Sequence, residues 1–339
     1  ARIVIDANKD GNVYFYYFSK VSFKSKIADS EVVTPGFICF DIKEKMTSFI
    51  KTLKEGNIYL AKKGKEKVVL SPVENPESQY FFSCLDEDLS NQIDEFNHDD
   101  AAPDIVFSYE DLTKCLGSIF LKRDSENRKI LFDFTNPEYT CMKATLFQAF
   151  YYKSKVDKKN ESLEKISISS KILADVEFFL NTVKSENVAL RMYSSFGILS
   201  LGASQIIFSV LEDYLNFSIP FHDLKKLFIC DKEEFVNSLK RLRVLCEGEP
   251  IPKTSVALQE DGINLKTVTR ILGRGYETVS CKYFDKITEE FEYNIDYLKE
   301  SMENIDNNEV LVSYWEKRKS FVFSNPDMSI VRIVIRLQK

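Results

Sequence analysis

Three stretches of the chain share one pattern of apolar and polar positions. FIKTLKEGNIYL at 49–60, FLNTVKSENVAL at 179–190 and SMENIDNNEVLV at 301–312 each begin with apolar residues at helical spacing. A polar turn with Asn or Gly follows, and then apolar and polar positions alternate. The first part has the period of a helix and the last the period of a strand. The copies lie about 130 and about 120 residues apart, which is the spacing of domains.

A second pattern recurs in the same rhythm. VFSYEDLTKCLGSIF at 106–120 and ICDKEEFVNSLKRLR at 229–243 each enter a helix behind a polar cap, Ser108 and Asp231. Each has one apolar face, formed by Leu112, Leu116 and Ile119 in the first and by Phe235, Leu239 and Leu242 in the second. Alternating strands come next, RKILFDF at 128–134 and SVALQEDGINLKTV at 255–268, the latter turning at Asp261–Gly262. RIVIDANKDGNVYFYYF at 2–18 has the same hairpin form, with its turn at Asp10–Gly11. The predicted unit is therefore helix, hairpin, further strands, helix, strands. Three units are expected, at 1–97, 98–222 and 223–339, the first lacking its opening helix before Ala1. An acidic stretch at 86–104 would link the first to the second, and the segment around Ile219, Pro220 and His222 the second to the third.

Composition narrows the class. A hydrophobic content of 44% over 339 residues supports real cores and excludes a disordered chain. No run of about 18 apolar residues exists to cross a membrane as a helix, and no secretory leader is expected at the start as given. The seven cysteines are scattered and odd in number, without a C-x-x-C pair, which predicts a reduced, cytoplasmic chain. Neither histidine, His98 or His222, has a metal-ligand neighbour, so no metal or cofactor is expected. Catalysis is not expected either: Gly273-Arg274-Gly275 is no phosphate fingerprint, and no nucleophile and base stand at telling spacing. The net charge of −6 argues against gripping DNA with the whole surface but leaves room for a basic patch.

The C-terminal unit carries a resemblance. EYNIDYLKESMENIDNNEVLVSY at 292–314 and the closing IVIRLQK are similar to an Asn-x-x-Tyr-Leu helix, a Val-x-Leu strand and a terminal Met-Pro-Met-Arg-Leu. Asn294, Tyr297, Leu298, Arg336 and Leu337 match, while Ile333, Val334 and Ile335 replace Met-Pro-Met. FDIKEKMTSFIKTLKEGNIYL at 40–60 is similar to the corresponding helix and strand of a first unit, and LEDYLNFSIP at 211–220 to the end of a second. With the triple repeat, these stretches resemble the bacterial β sliding clamp, the processivity subunit of DNA polymerase III.

The resemblance implies an α+β fold of three tandem DNA-clamp (processivity-fold) domains. Two such subunits close head to tail into a ring, with strands outside and helices lining the hole. The function it implies is a DNA sliding clamp that encircles duplex DNA regardless of sequence and tethers the replicative DNA polymerase. Its implied partners are duplex DNA, a clamp loader, the polymerase and other proteins with clamp-binding peptides, and a second copy of the chain. Two alternatives are open. One is a phage or mobile-element clamp-like protein tethering another enzyme; the other is a clamp-fold interaction protein that does not encircle DNA.

Site residues follow from the resemblance. Lys43, Lys51 and Lys54 share a face of the helix 41–54, Lys240 and Arg243 lie a turn apart on the helix after Asp231, and Lys122, Arg123, Arg128 and Lys129 fall in a loop that would touch DNA. Ordinary solvated helix faces would give the same pattern. A partner-peptide pocket between the second and third units would use Leu131, Thr145, Phe147, Phe150, Ile333, Val334, Ile335, Arg336 and Leu337, with Phe147 standing where the family has Gly and Glu212 where Pro is usual. Core positions between strands would also account for Thr145 and Phe150. The dimer seam would involve Lys45, Phe49 and Leu53 on one side and Cys281, Tyr283 and Phe284 on the other.

Overall fold

The structure, a computed structural model, describes residues 2–19, 21–27, 30–41, 58–65, 67–83, 85, 93–94, 96, 102–119, 129–136, 138–145, 148–183, 185–213, 219, 221–259, 262–270, 272–285, 290–335 and 337. Four α-helices have bounds within this set: α1 (Tyr109–Ile119), α2 (Leu173–Thr182), α3 (Lys232–Leu245) and α4 (Ile295–Glu303). Two open on side-chain caps that satisfy otherwise unbonded first-turn amides. Asp231 accepts from the Glu234 N–H at 2.8 Å, as its acidic position before the apolar run predicts, and Asn294 accepts from the Asp296 and Tyr297 N–H groups at 2.9 and 3.3 Å. None of the described helices is long and apolar enough to cross a membrane.

The strands form antiparallel sheets. One nine-stranded sheet runs Asp157–Lys158, Ile105–Ser108, Asn187–Met192, Phe196–Leu201, Ser204–Ser209, Ser22–Ile27, Val13–Phe18, Arg2–Ala7 and Gly36–Asp41. A second nine-stranded sheet runs Lys165–Ser169, Lys129–Asp133, Glu138–Ala144, Gln148–Lys155, Ile330–Ile335, Ser320–Ser324, Glu309–Trp315, Leu224–Asp231 and Cys281–Tyr283. Four strands, Arg274–Val279, Gly262–Val268, Lys253–Gln259 and Phe291–Asn294, form a third sheet, and Ile58–Lys63, Lys67–Pro72 and Tyr80–Ser83 a fourth. Each large sheet is joined across its interior by a pair remote in sequence: Ile206 faces Phe23 in one, and Phe150 faces Arg332 in the other.

The predicted hairpins have the turn chemistry their residues dictate. Asn8 Oδ1 accepts from the Asp10 and Asn12 N–H groups, and Gly11 supplies a φ of 80°. Gly262 sits at φ 144°, and a Cβ there would come within 2.5 Å of the Val279 carbonyl, so both conformation and space require glycine.

The chain divides into two compact units. One comprises residues 1–109, 157–160 and 174–210; the other comprises 110–156, 161–173 and 211–339. The first is built around Val4, Tyr16, Phe18, Cys39, Phe96, Ile198 and Ile207, with a smaller cluster at Ile3, Phe40 and Val68. The second buries the apolar face of α3, where the Phe235 ring meets Phe323 edge-on at 6.4 Å.

Candidate functional site

Period-two alternation decides which side of the second large sheet each side chain takes. Along one face the register aligns Leu131, Met142, Tyr151 and Val331, with Ala149 opposite Ile333 and Val322 beside it. These residues, with Ile219 and Trp315, form one buried apolar cluster edged by the half-buried Ala144, Leu224 and Met328. Phe221 lies edge-on over Tyr151 at 5.2 Å. Burial, and then the nearby Glu138 and Asp133 carboxylates, push the Tyr151 phenol up to about 12.

The opposite face carries Lys143, Phe150, Arg332 and Val334. Gln148 shares it, its side-chain amide donating to the Tyr297 carbonyl of α4 at 3.3 Å. The strand register divides the residues of the expected pocket between the two faces. Leu131, Ile333 and Ile335 fall on the first face, and Phe150 and Val334 are fully buried on the helix side of the same strands. The apolar run from 149 to 152 hides this split in the sequence, because both faces are buried.

Thr145 holds the intervening turn. Its hydroxyl donates to the Gln148 carbonyl at 3.1 Å and accepts from the Gln148 N–H at 3.0 Å. The Leu337 N–H donates to the Glu292 carbonyl at 2.9 Å, tying the end of the chain to the strand Phe291–Asn294. Phe147 and Arg336 lie outside the described residues.

Arg332 was missed by the sequence reading. It is fully buried, with its guanidinium over the Phe150 ring at 5.0 Å and one Nη2 bond to the Asn304 carbonyl at 3.4 Å. Its Nε and Nη1 have no hydrogen-bond partner among the described residues. Burial draws the guanidinium down to about 10. An arginine interrupting the run IVRIVI was the available signal.

Among the expected DNA-facing cations, Lys129, Lys240 and Arg243 are described, and each meets a carboxylate. Lys240 Nζ lies 3.4 Å from Glu303, Arg243 Nε donates to Asp296 at 2.9 Å, and Lys129 pairs with Asp213. The Lys129 hydrogen bond holds the Asp213 carboxyl below its usual range. Lys43, Lys51, Lys54, Lys122, Arg123 and Arg128 lie outside the described residues, as do Lys45, Phe49 and Leu53 of the expected seam.

The other side of that seam is an edge. Among the described residues Cys281–Tyr283 is the last strand of its sheet and pairs only with Leu224–Asp231, placing Cys281 opposite Cys230. Tyr283 donates its hydroxyl to the Gln259 carbonyl at 2.8 Å, while the Phe284 side chain is 53% exposed. A second edge strand, Tyr80–Ser83, exposes Phe81 at 52%; periodicity alone did not mark it.

No family model matches the chain, and no curated protein matches it by sequence. Solved structures match along its whole length. The DNA polymerase sliding clamp of Bacillus subtilis superimposes with a TM-score of 0.83 at 16% identity, covering 100% of this chain and 91% of that one. The sliding clamp of Pseudomonas aeruginosa gives 0.83 at 11% identity, with coverages of 100% and 92%. The DNA polymerase III β subunit of Thermotoga maritima gives 0.80 at 15% identity, with coverages of 100% and 91%. From its first strand to its last, this chain therefore has the α+β fold of the DNA polymerase III β sliding clamps.

Proposed function

We propose that the chain is a DNA sliding clamp, a ring-shaped homodimer that encircles duplex DNA and tethers a DNA polymerase, with no catalytic role of its own. The observation that carries this reading is the superposition on sliding clamps over 100% of the chain. In this reading the chain comprises three tandem domains, 1–97, 98–222 and 223–339, with helices toward the hole. A topological grip needs only weak, sequence-blind contacts to phosphate, which is compatible with a net charge of −6. Lys240 and Arg243 on α3, together with Lys129, are the described candidates for those contacts. A clamp loader would open the ring, in the cytoplasm.

Partner peptides would dock on the apolar face around Leu131, Tyr151 and Ile333, reaching it through Ala144, Leu224 and Met328, which are only half-buried. The seam would pair edge strands, with Phe284 of one subunit and Phe81 of the other supplying apolar area. Light scattering tests the assembly. A mass of twice the 39.3 kDa chain at micromolar concentration is expected, and a monomer would contradict the ring.

One observation favours a second reading. The carboxylates on Lys240, Arg243 and Lys129 neutralise cations that a DNA channel would use. A clamp-fold interaction protein that does not encircle DNA would have no need of them. Such a protein would be released equally from closed and from open-ended DNA.

A further inference from the structure

The third sheet has one face on α3 and one face free of it. On the α3 side, Gly275 lets Leu242 and Leu245 close on the backbone; a Cβ there would lie 2.4 Å from Leu245 and 2.8 Å from Leu242. The register places a different set on the other side. Lys266 stands between Ser255 and Tyr276, Val268 faces Arg274, Asn264 faces Thr278, and Lys253 lies beside Asn294. Tyr276 is 63% exposed and Val268 56%.

This face is cationic on an acidic protein. Lys253, Lys266 and Arg274 are exposed, and none of them is in an ion pair among the described residues. Glu292, opposite Ser255, is the one carboxylate that the register puts on this face among the described residues. Arg270 adds a further cation from the adjoining turn, where the Glu249 carboxylate accepts from its backbone N–H at 3.1 Å. That turn is fixed by Thr269, whose hydroxyl donates to the Gly273 carbonyl at 3.3 Å and accepts from the Leu272 N–H at 3.1 Å.

We propose that this face binds single-stranded nucleic acid, with phosphates on Lys253, Lys266, Arg270 and Arg274 and a base stacked on Tyr276. The relief of the surface favours this occupant. Ser255, Ala257, Asn264 and Thr278 are short, so none of them rises as a wall beside Lys266 and Tyr276 to hold a peptide helix. A cationic sheet face with an exposed ring suits an unpaired strand, whose bases are free to stack while its phosphates track the cations. A duplex would use the cations and leave Tyr276 idle. The Asn264 side chain, bonded to the Thr278 hydroxyl at 2.8 Å, adds polar groups within reach of a base edge. The inference goes beyond the clamp reading and holds for a linear strand whether or not a ring closes.

Fluorescence anisotropy of a short labelled oligothymidylate with the full chain at low salt tests it. The double variant K266E/R274E, verified as folded by its thermal melt, is expected to bind at least about tenfold more weakly, with a salt slope shallower by about 1.4 for two lost phosphate contacts. Tyr276→Ala should weaken binding by about tenfold, and Tyr276→Phe should restore it. Unchanged binding by K266E/R274E, or by Tyr276→Ala, would overturn the proposal. So would equal competition by blunt duplex, which means backbone contact alone, or by polyglutamate, which means a surface for an acidic protein. Retention of the same variants on circular duplex reports separately on the ring.

Discussion

Arg332 concentrates the cost of a buried charge in one side chain. Its ring contact with Phe150 and one long bond to Asn304 leave Nε and Nη1 without partners among the described residues, so its desolvation is only partly offset there. Arg332→Met keeps most of the volume and removes the charge; it should leave stability unchanged or raise it by about 1–2 kcal/mol in urea melts. Arg332→Ala adds a cavity and should lose about 2–4 kcal/mol. A large loss with Met would mean that the guanidinium makes bonds the packing does not account for. Glu277 behaves differently. Its bidentate bonds from Arg241, at 2.8 and 2.6 Å, hold its carboxyl below the ordinary 4.5. A depressed carboxyl stabilises the fold above its unfolded pKa and loses that contribution as pH falls through the folded one. The stability advantage over Glu277→Gln should therefore be constant at neutral pH and shrink below about pH 4.5, and it should be small because Arg241 is largely exposed. A constant difference down to acid-induced unfolding would contradict the assignment.

At the scale of elements, the two faces of the strands Gln148–Lys155 and Ile330–Ile335 do separate jobs. Met328 edges the apolar cluster proposed to take partner peptides, whereas Phe150 belongs to the helix side. Met328→Asp should weaken a pentapeptide with Gln first and Leu-Phe last by about tenfold or more in calorimetry, with little loss of stability. Phe150→Leu should do the reverse, lowering the melt by about 1 kcal/mol while leaving the peptide untouched. The opposite pattern would return Phe150 to the groove. That 128–134 and 255–268 carry strands was legible in the sequence; which way the strands of the second large sheet face was not. Alternation marks a half-buried strand, but QAFYY and IVRIVI are buried on both sides, and only the pairing of Phe150 with Arg332 sets the faces. The cap at Asp231 and the turn at Gly11 were readable because each rests on a local rule. The carboxylates that meet Lys240 and Arg243 were not, because Glu303 and Asp296 reach them from another helix.

For the whole molecule, the order of elements specified more than any motif. Helix, turn and strand recurring at domain spacing, with a recognisable close at Leu337, pointed to a clamp, and full-length superposition at 11–16% identity agrees on the fold. At such divergence the side chains that do the work are free to change while the architecture persists. If the helices face a DNA channel, reversing Lys240 and Arg243 together should weaken loading on every duplex sequence alike and make it less salt-dependent. A defect confined to some sequences would point to base contacts instead. The central claim is topological, and retention on nicked circular DNA against the same DNA linearised, after loading, tests it most directly. A closed ring predicts that the protein stays on the circle through a high-salt wash and slides off the linear form. Equal retention, or equal loss, on the two would contradict it.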